Sequence, residues 1–304
     1  MRNRGFTLVE MIMVIVILGI LSAGTFVSLK HLYLRVAKSK ALSELSLDSQ
    51  LIVNQISSLL NERVPSSVIG YDDNTSNFES IYSLSATYNV LEWIGVAVES
   101  FKRRDYSGFV DLDDSNASSR TLVSPDTNVA LLAQSTQKKF SITNNVFNDD
   151  IVSLVFAGTF DDGSIAYSSE FNSTFGWYGN SANKVFGIEA SSSGKNIVLK
   201  TKPNEIYEKY YIVDSAYAIA RGADINCRSD ANETNTLYFF YNYRPWKGET
   251  FCVDADVTTL SNEVSGFEID LLNGSIFFNL TMQRNVPKRG NDNSIVISKQ
   301  KVVF

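Results

Sequence analysis

A chain of 304 residues whose single histidine, His31, stands near the amino terminus leaves the rest without a Ser-His or Cys-His pair and without histidine-ligated zinc. Seven of the 27 basic and four of the 33 acidic residues lie in the first 64 positions, so residues 65–304 carry 20 basic against 29 acidic groups, a net of −9. Nucleic-acid recognition rests on clustered positive charge, so direct binding to nucleic acid is not expected.

The first predicted element is a helix. Arg2 and Arg4 precede Gly5-Phe6-Thr7-Leu8-Val9-Glu10, and the apolar run Met11 to Leu29 follows. Between Phe6 and Leu29 there is one charge, Glu10, in 24 residues. At about 1.5 Å per residue such a helix is roughly 36 Å long, enough for a hydrocarbon core of about 30 Å. A carboxylate in that setting costs on the order of a few kcal/mol without a partner, which makes Glu10 a candidate functional residue. A free amine made by cleavage between Gly5 and Phe6 is a fitting partner. Ser22-Ala23-Gly24 resembles the exit of an ordinary secretory signal, but Glu10 is out of place in such a signal.

Arg2-Asn3-Arg4-Gly5-Phe6-Thr7-Leu8-Val9-Glu10 ahead of a long apolar helix resembles the start of the type IV pilin superfamily, which includes the pseudopilins of type II secretion. The resemblance implies that a prepilin peptidase cuts after Gly5, that Phe6 becomes the N-methylated start, and that Glu10 is the assembly carboxylate. It implies a single pass of the inner membrane, amino terminus cytoplasmic and carboxy-terminal domain periplasmic, and then residence in a pilus or pseudopilus. The partners it implies are other pilin or pseudopilin subunits, the prepilin peptidase, the inner-membrane assembly platform and membrane lipid. These motifs cover about the first 30 residues, and the remainder is read on its own.

Past Leu29 the pattern turns amphipathic. Leu42, Leu45, Ile52, Ile56 and Leu59 recur mostly at intervals of three, four and seven, which predicts one helix from about Phe6 to about Val64. Pro65 ends it, because the residue before a proline disfavours helix. The plan is therefore residues 1–5 as leader, 6–64 as helix (6–29 for membrane and assembly, 30–64 amphipathic) and 65–304 as a β-rich globular domain. Gly19 and Ala23 give a small-xxx-small face suited to close helix packing. Many filament-forming pilins carry a proline in this run; here none precedes Pro65.

Val68 to Asn89 shows no sustained period, and Gly70 to Ser76 reads as a polar loop. Val90 to Phe101 is apolar and reads as strand or short helix, with strand preferred. Asp111 to Asn116 resembles a calcium loop only superficially: it lacks the glycine at the sixth position, and Leu122 stands where a closing glutamate belongs. No metal and no cofactor are expected. Adjacent acids at Asp72-Asp73, Asp113-Asp114, Asp149-Asp150 and Asp161-Asp162 read as solvated turns rather than as the carboxylate pair of a glycosidase.

The second half reads as β. Asp162-Gly163 separates Val152–Phe160 from Ser164–Ser169, and Ser191 to Gly194 separates Val185–Ala190 from Asn196–Thr201. Tyr210–Ile219 and Leu237–Tyr243 are rich in aromatic and β-branched residues. Around Asn273-Gly274 the alternation of Phe267, Ile269 and Leu271 and then of Ile276, Phe278, Leu280 and Met282 predicts a hairpin, and Ile295–Phe304 a last strand. Trp93, Trp177 and Trp246 read as core residues of these sheets. In an exported chain the two cysteines, Cys227 and Cys252, read as a disulfide. Asn-x-Ser/Thr occurs at six positions, and at four of them, Asn74, Asn116, Asn172 and Asn232, an acid stands two residues earlier. That pattern resembles the extended acceptor of bacterial periplasmic N-glycosylation and makes those four candidate glycosylation sites.

The expected fold class is α+β, a long amino-terminal helix followed by a large antiparallel β-rich periplasmic domain. No catalytic constellation is present in the sequence, so the chain reads as a structural subunit and not as an enzyme. By resemblance and by the size of its domain it reads as a minor pilin or a pseudopilin of a type II secretion system. Two alternatives stay open. One is a competence-pilus subunit in DNA uptake, supported only by Lys138-Lys139 and the Arg284–Arg289 stretch. The other is a membrane-anchored adhesin-type module using the aromatic β face.

Overall fold

The computed structural model describes residues 7–157, 174–272, 275–286 and 293–303. Helix α1 (Leu8–Asn61) is 54 residues long, about 80 Å at about 1.5 Å per residue. Every residue from 7 to 33 is exposed. Further on, a buried stripe appears at Leu45, Ser49, Ile52, Val53, Ile56, Ser57 and Leu60, in steps of three, four and one that keep to one face. The stripe is rotated from the expected one. Leu42 stays 47 % exposed, while Ser49, Val53, Ser57 and Leu60 turn inward. The two serine hydroxyls donate to the helix's own carbonyls, Ser49 to Ser46 at 2.9 Å and Ser57 to Val53 at 2.8 Å. Small and internally satisfied, they suit a close contact that a hydrophobicity pattern scores as polar.

The helix stops at Asn61, and Pro65–Ser67 forms one 3-10 turn. Strands β1 (Ile69–Asp72) and β2 (Asn77–Ser80) then pair where a loop was expected, with Asp73 to Ser76 as their turn. Four-residue strands are too short for alternation to show. The apolar stretch from Val90 divides into β3 (Val90–Val96) and the short helix α2 (Val98–Lys102). Asp111–Asn116, expected as an acidic loop, is strand β4, hairpinned to β5 (Thr121–Val123). Helix α3 (Val129–Phe140) falls where no element was expected. Its signals were present: the Asn128 side chain accepts the N–H groups of Ala130 and Leu131, and Lys138 and Lys139 sit in the last turn, where cations suit the helix dipole.

Strands β6 (Ser153–Phe156), β7 (Phe186–Gly187) and β8 (Asn196–Val198) are shorter than the runs that announced them. The expected Asp162-Gly163 hairpin lies outside the described residues. The runs on either side of Ser191–Gly194 do meet, through an Ile188–Leu199 bridge and hydrogen bonds from Glu189 N to Val198 O and Lys200 N to Gly187 O. Strands β9 (Tyr210–Arg221), β10 (Leu237–Tyr243) and β11 (Asp256–Ser261) follow. The chain closes with β12 (Val264–Leu272), β13 (Ser275–Val286) and β14 (Asn293–Val303). Leu272 faces Ser275 in register, so β12 and β13 form the expected hairpin, although Asn273-Gly274 lie outside the described residues.

Among the described residues these strands make three antiparallel sheets. The largest runs β11-β10-β9-β3-β1-β2, with β6 on the first half of β9 and β7 beyond it. The others are β12-β13-β14 and β4-β5-β8. The protein is α+β, as expected.

The large sheet is buried on both faces, and the period of two assigns each side chain. On β3, Val90 and Ile94 enter a core shared with Ala216, Ala218 and Ala220 of β9 and Tyr238 and Phe240 of β10. Leu91 and Trp93 point the other way, with Ile219 and Leu237, into a core shared with Leu45, Ile52, Ile56 and Leu60 of α1 and the inner face of the carboxy-terminal meander. A third core lies around α3, β6 and β8. Trp93 and Trp177 are completely buried, as read from the sequence.

Candidate assembly site on the amino-terminal helix

Helix α1 has two chemically different halves, and the site is their junction with each other and with the domain. Thr7 starts the helix. Its hydroxyl accepts the Glu10 N–H at 3.3 Å, and the Glu10 carboxylate accepts both the Thr7 N–H at 2.9 Å and the Thr7 hydroxyl at 3.0 Å. This reciprocal capping box satisfies two backbone donors of the first turn and places a negative charge at the positive end of the helix dipole. Glu10 therefore has partners within its own chain, which the sequence reading reserved for an amine. The signal was legible, since Thr7-Leu8-Val9-Glu10 is a capping box by spacing. The Glu10 carboxylate is still exposed and open to a further partner.

From Leu8 to Leu29 the large apolar side chains are roughly half to three-quarters exposed. Their surface is suited to lipid or to other helices, and among the described residues this is the one helix long and apolar enough to cross a membrane. Gly19 and Gly24 leave open space at the helix surface.

The second half of α1 is fixed to the domain by backbone and by charge. Val64 N donates to Ile94 O at 2.8 Å and Val96 N to Glu62 O at 2.9 Å, so the helix end is stitched to β3. On β13, Arg284 binds Glu263 through two bonds of 2.6 Å and reaches Glu44 at 2.9 Å and Asp48 at 3.3 Å on α1. The hydrogen bonds to Glu263, ahead of the attraction of all three carboxylates, hold its guanidinium above the usual range. Lys299 on β14 donates to Gln50 at 3.1 Å.

These contacts revise the support for a nucleic-acid reading. Arg284, the first residue of the basic 284–289 stretch, lies on β13 and is saturated by carboxylates. Lys139 is clasped by Asp214 at 2.8 and 2.9 Å. Lys288 and Arg289 lie outside the described residues, as do Gly5, Phe6 and Asn172.

The remaining candidates are scattered. Asn74, Asn116 and Asn232 are exposed and lie far apart in the chain, Asn74 in the β1–β2 turn, Asn116 at the end of β4 and Asn232 in the segment before β10. Cys227 and Cys252 are joined in a disulfide, Cα atoms 5.4 Å apart, with Cys252 packed against the core that holds Phe251 and Phe240. Among the described residues one grouping has metal-type ligands, Asp73 with Cys227 and Cys252, and both of its sulfurs are spent in that disulfide. Asp73 accepts the N–H of Asn226, and Asp150 pairs with Lys200 at 2.8 Å.

Residues 1–26 match the prokaryotic N-terminal methylation motif. That motif marks members of the type IV pilin and pseudopilin superfamily, and the exposed apolar helix that follows it is the element such a motif precedes. The chain is type IV pilin-like. No curated protein and no solved structure matches it. Proteins of this superfamily are in general structural and not enzymatic, and the motif implies processing by a prepilin peptidase and assembly with other pilins. The single apolar helix at the amino terminus of this pilin-like chain fits a membrane-anchored prepilin.

Proposed function

We propose that this pilin-like protein is a minor subunit of a type II secretion pseudopilus or a closely related pilus, in which it initiates or decorates a short filament. The observation that carries the reading is the pairing of a methylation motif with a domain of about 240 residues, larger than is usual for a major pilin. Cleavage after Gly5 leaves Phe6 as an N-methylated start. Glu10 then meets the amine of a neighbouring subunit, exchanging its contacts with Thr7 for a charge-assisted pair. The apolar half of α1 bundles with the helices of other subunits, while residues 65–304 stand in the periplasm. The work of extraction from the membrane falls to the assembly platform.

Two observations favour secretion over DNA uptake: the net charge of −9 on residues 65–304, and the engagement of Arg284 and Lys139 by carboxylates. A deletion strain assayed for both secreted-protein export and transformation tests the choice. Loss of export with transformation intact is expected. Loss of transformation alone assigns the subunit to an uptake pilus instead.

A further inference from the structure

We propose that Asn116, the last residue of β4 where the β4–β5 hairpin turns, is a site of periplasmic N-glycosylation, and that Asp114 is the acid the transferase reads there. Of the four asparagines with an acid two residues earlier, Asn74, Asn116 and Asn232 are described, and their surroundings differ in the groups the reaction needs. Those groups are the acceptor amide, the hydroxyl two residues on and the acid two residues back.

At Asn74 the acid and the acceptor are tied to each other. The Asn74 side-chain amide donates to Asp72 at 3.3 Å, and the second carboxylate oxygen of Asp72 accepts the Thr75 hydroxyl at 2.8 Å. The Asn74 side-chain carbonyl also accepts from Asn226 at 3.1 Å, which pins the loop to the segment before Cys227. At Asn232 the acid is neutralised. Arg228 grips both oxygens of Asp230 at 2.8 and 2.7 Å, and the same guanidinium is anchored to the Phe251 carbonyl at 3.1 Å. A fifth acceptor, Asn279, sits within β13 with its amide on Glu268 and its carbonyl on Ser298, and no acid stands two residues earlier.

At Asn116 neither the acid nor the acceptor amide is engaged in this way. Its side-chain carbonyl accepts the N–H of Ser118 at 2.8 Å and of Ser119 at 3.3 Å. Those bonds fix the side chain by its oxygen and leave both amide protons without an acceptor among the described residues. Asp114, Asn116 and Ser118 are all exposed, and neither the Asp114 carboxylate nor the Ser118 hydroxyl has a partner among the described residues. Asp114 thus stands open to an incoming cationic side chain, and the exposed end of the hairpin accommodates a bulky glycan. The co-reactant is an oligosaccharide carried on a polyprenyl pyrophosphate, with an oligosaccharyltransferase as catalyst. The Asn116 amide nitrogen bonds to the anomeric carbon, the bond from that carbon to the pyrophosphate oxygen breaks, the lipid pyrophosphate leaves with the electron pair, and the amide proton passes to solvent.

The test uses the full chain, carrying a carboxy-terminal Asp-x-Asn-x-Thr tag, in a host whose transferase glycosylates that tag, so that export and enzyme are both reported on the same molecule. Peptide mass spectrometry is expected to find glycan on the peptide holding Asn116 and to lose it in Asn116→Gln. Asp114→Ala is expected to lower occupancy at Asn116 by about tenfold or more, the loss of one hydrogen bond to a charged group. Asp72→Ala and Asp230→Ala are expected to leave Asn116 unchanged. An unmodified Asn116 beside a glycosylated tag overturns the proposal, and so does full occupancy in Asp114→Ala.

Discussion

Glu92 sits at the centre of the large sheet with its side chain 1 % exposed, on the face of β3 that enters the core of Phe240 and Trp177. Both carboxylate oxygens are held by phenol hydroxyls, one by Tyr178 and the other by Tyr243 at 2.7 Å. Tyr178 is brought there by a tight turn. Gly176 has φ of +87°, and a Cβ on it would lie 2.5 Å from the Pro245 carbonyl oxygen, so only glycine fits. Burial, partly offset by the two hydroxyls, pushes the Glu92 pKa up from 4.5 to about 7. The folded value lies above the unfolded one, so the contribution of Glu92 to stability is fully present below about pH 4.5 and is lost as the pH rises through 7. The shift corresponds to about 3 kcal/mol. Glu92→Gln is therefore expected to flatten the decline in urea stability between pH 5 and pH 8 relative to the parent; equal slopes would show that Glu92 does not titrate in that window. At the other end of the chain, Glu10→Ala is expected to leave cleavage after Gly5 intact while impairing incorporation into filaments. Gly5→Val is expected to leave the uncut precursor in the membrane. Mass spectrometry of the mature start, with subunit counts in purified filaments, checks both.

At the scale of elements, α1 divides by what its surface meets. Its first half exposes Leu, Ile, Val and Met on all sides, which no surface helix of a water-soluble domain does. Its second half buries one stripe against β13 and β14. Arg284 fixes the register of that contact, because one guanidinium satisfies three carboxylates, two on α1 and one in the turn before β12. Replacing it leaves Glu44, Asp48 and Glu263 facing one another with no cation between them. Arg284→Ala is expected to lower stability by about 1–2 kcal/mol, more than a lone surface pair and less than a fully buried one. Hydrogen exchange should rise first in β13, β14 and the 44–60 stretch of α1. Unchanged protection there would mean that apolar packing alone sets the contact.

For the molecule as a whole, the disulfide closes a loop of 25 residues that carries β10 and the Pro245–Lys247 turn. The chain-entropy account gives it roughly 3 kcal/mol. Reduction is expected to loosen residues 225–255 while the stripe of α1 holds, since that stripe packs in a different core from Phe251. A proteolysis map of reduced protein, cut first within this loop, is the expected result; first cuts elsewhere would show that the bond carries little of the local stability.

What the sequence determined alone was whatever depends on neighbours a few residues apart. The apolar run with Glu10, the 54-residue helix, the alternation of Phe267 to Met282 and the aromatic strands β9 and β10 all follow from local period, and all stand in the structure. Tertiary contact decided the rest. Ser49 and Ser57 line a buried stripe because close packing prefers their size, a preference visible only beside β13 and β14. β1 exists because β3 offers it a ladder, and β2 because β1 then offers the next, although neither four-residue segment carries a pattern of its own. Arg284 and Lys139 lose their value as basic surface because carboxylates many residues away in sequence arrive beside them. A charge or a hydroxyl has its role set by its partner, and for these residues the partner is chosen by the fold.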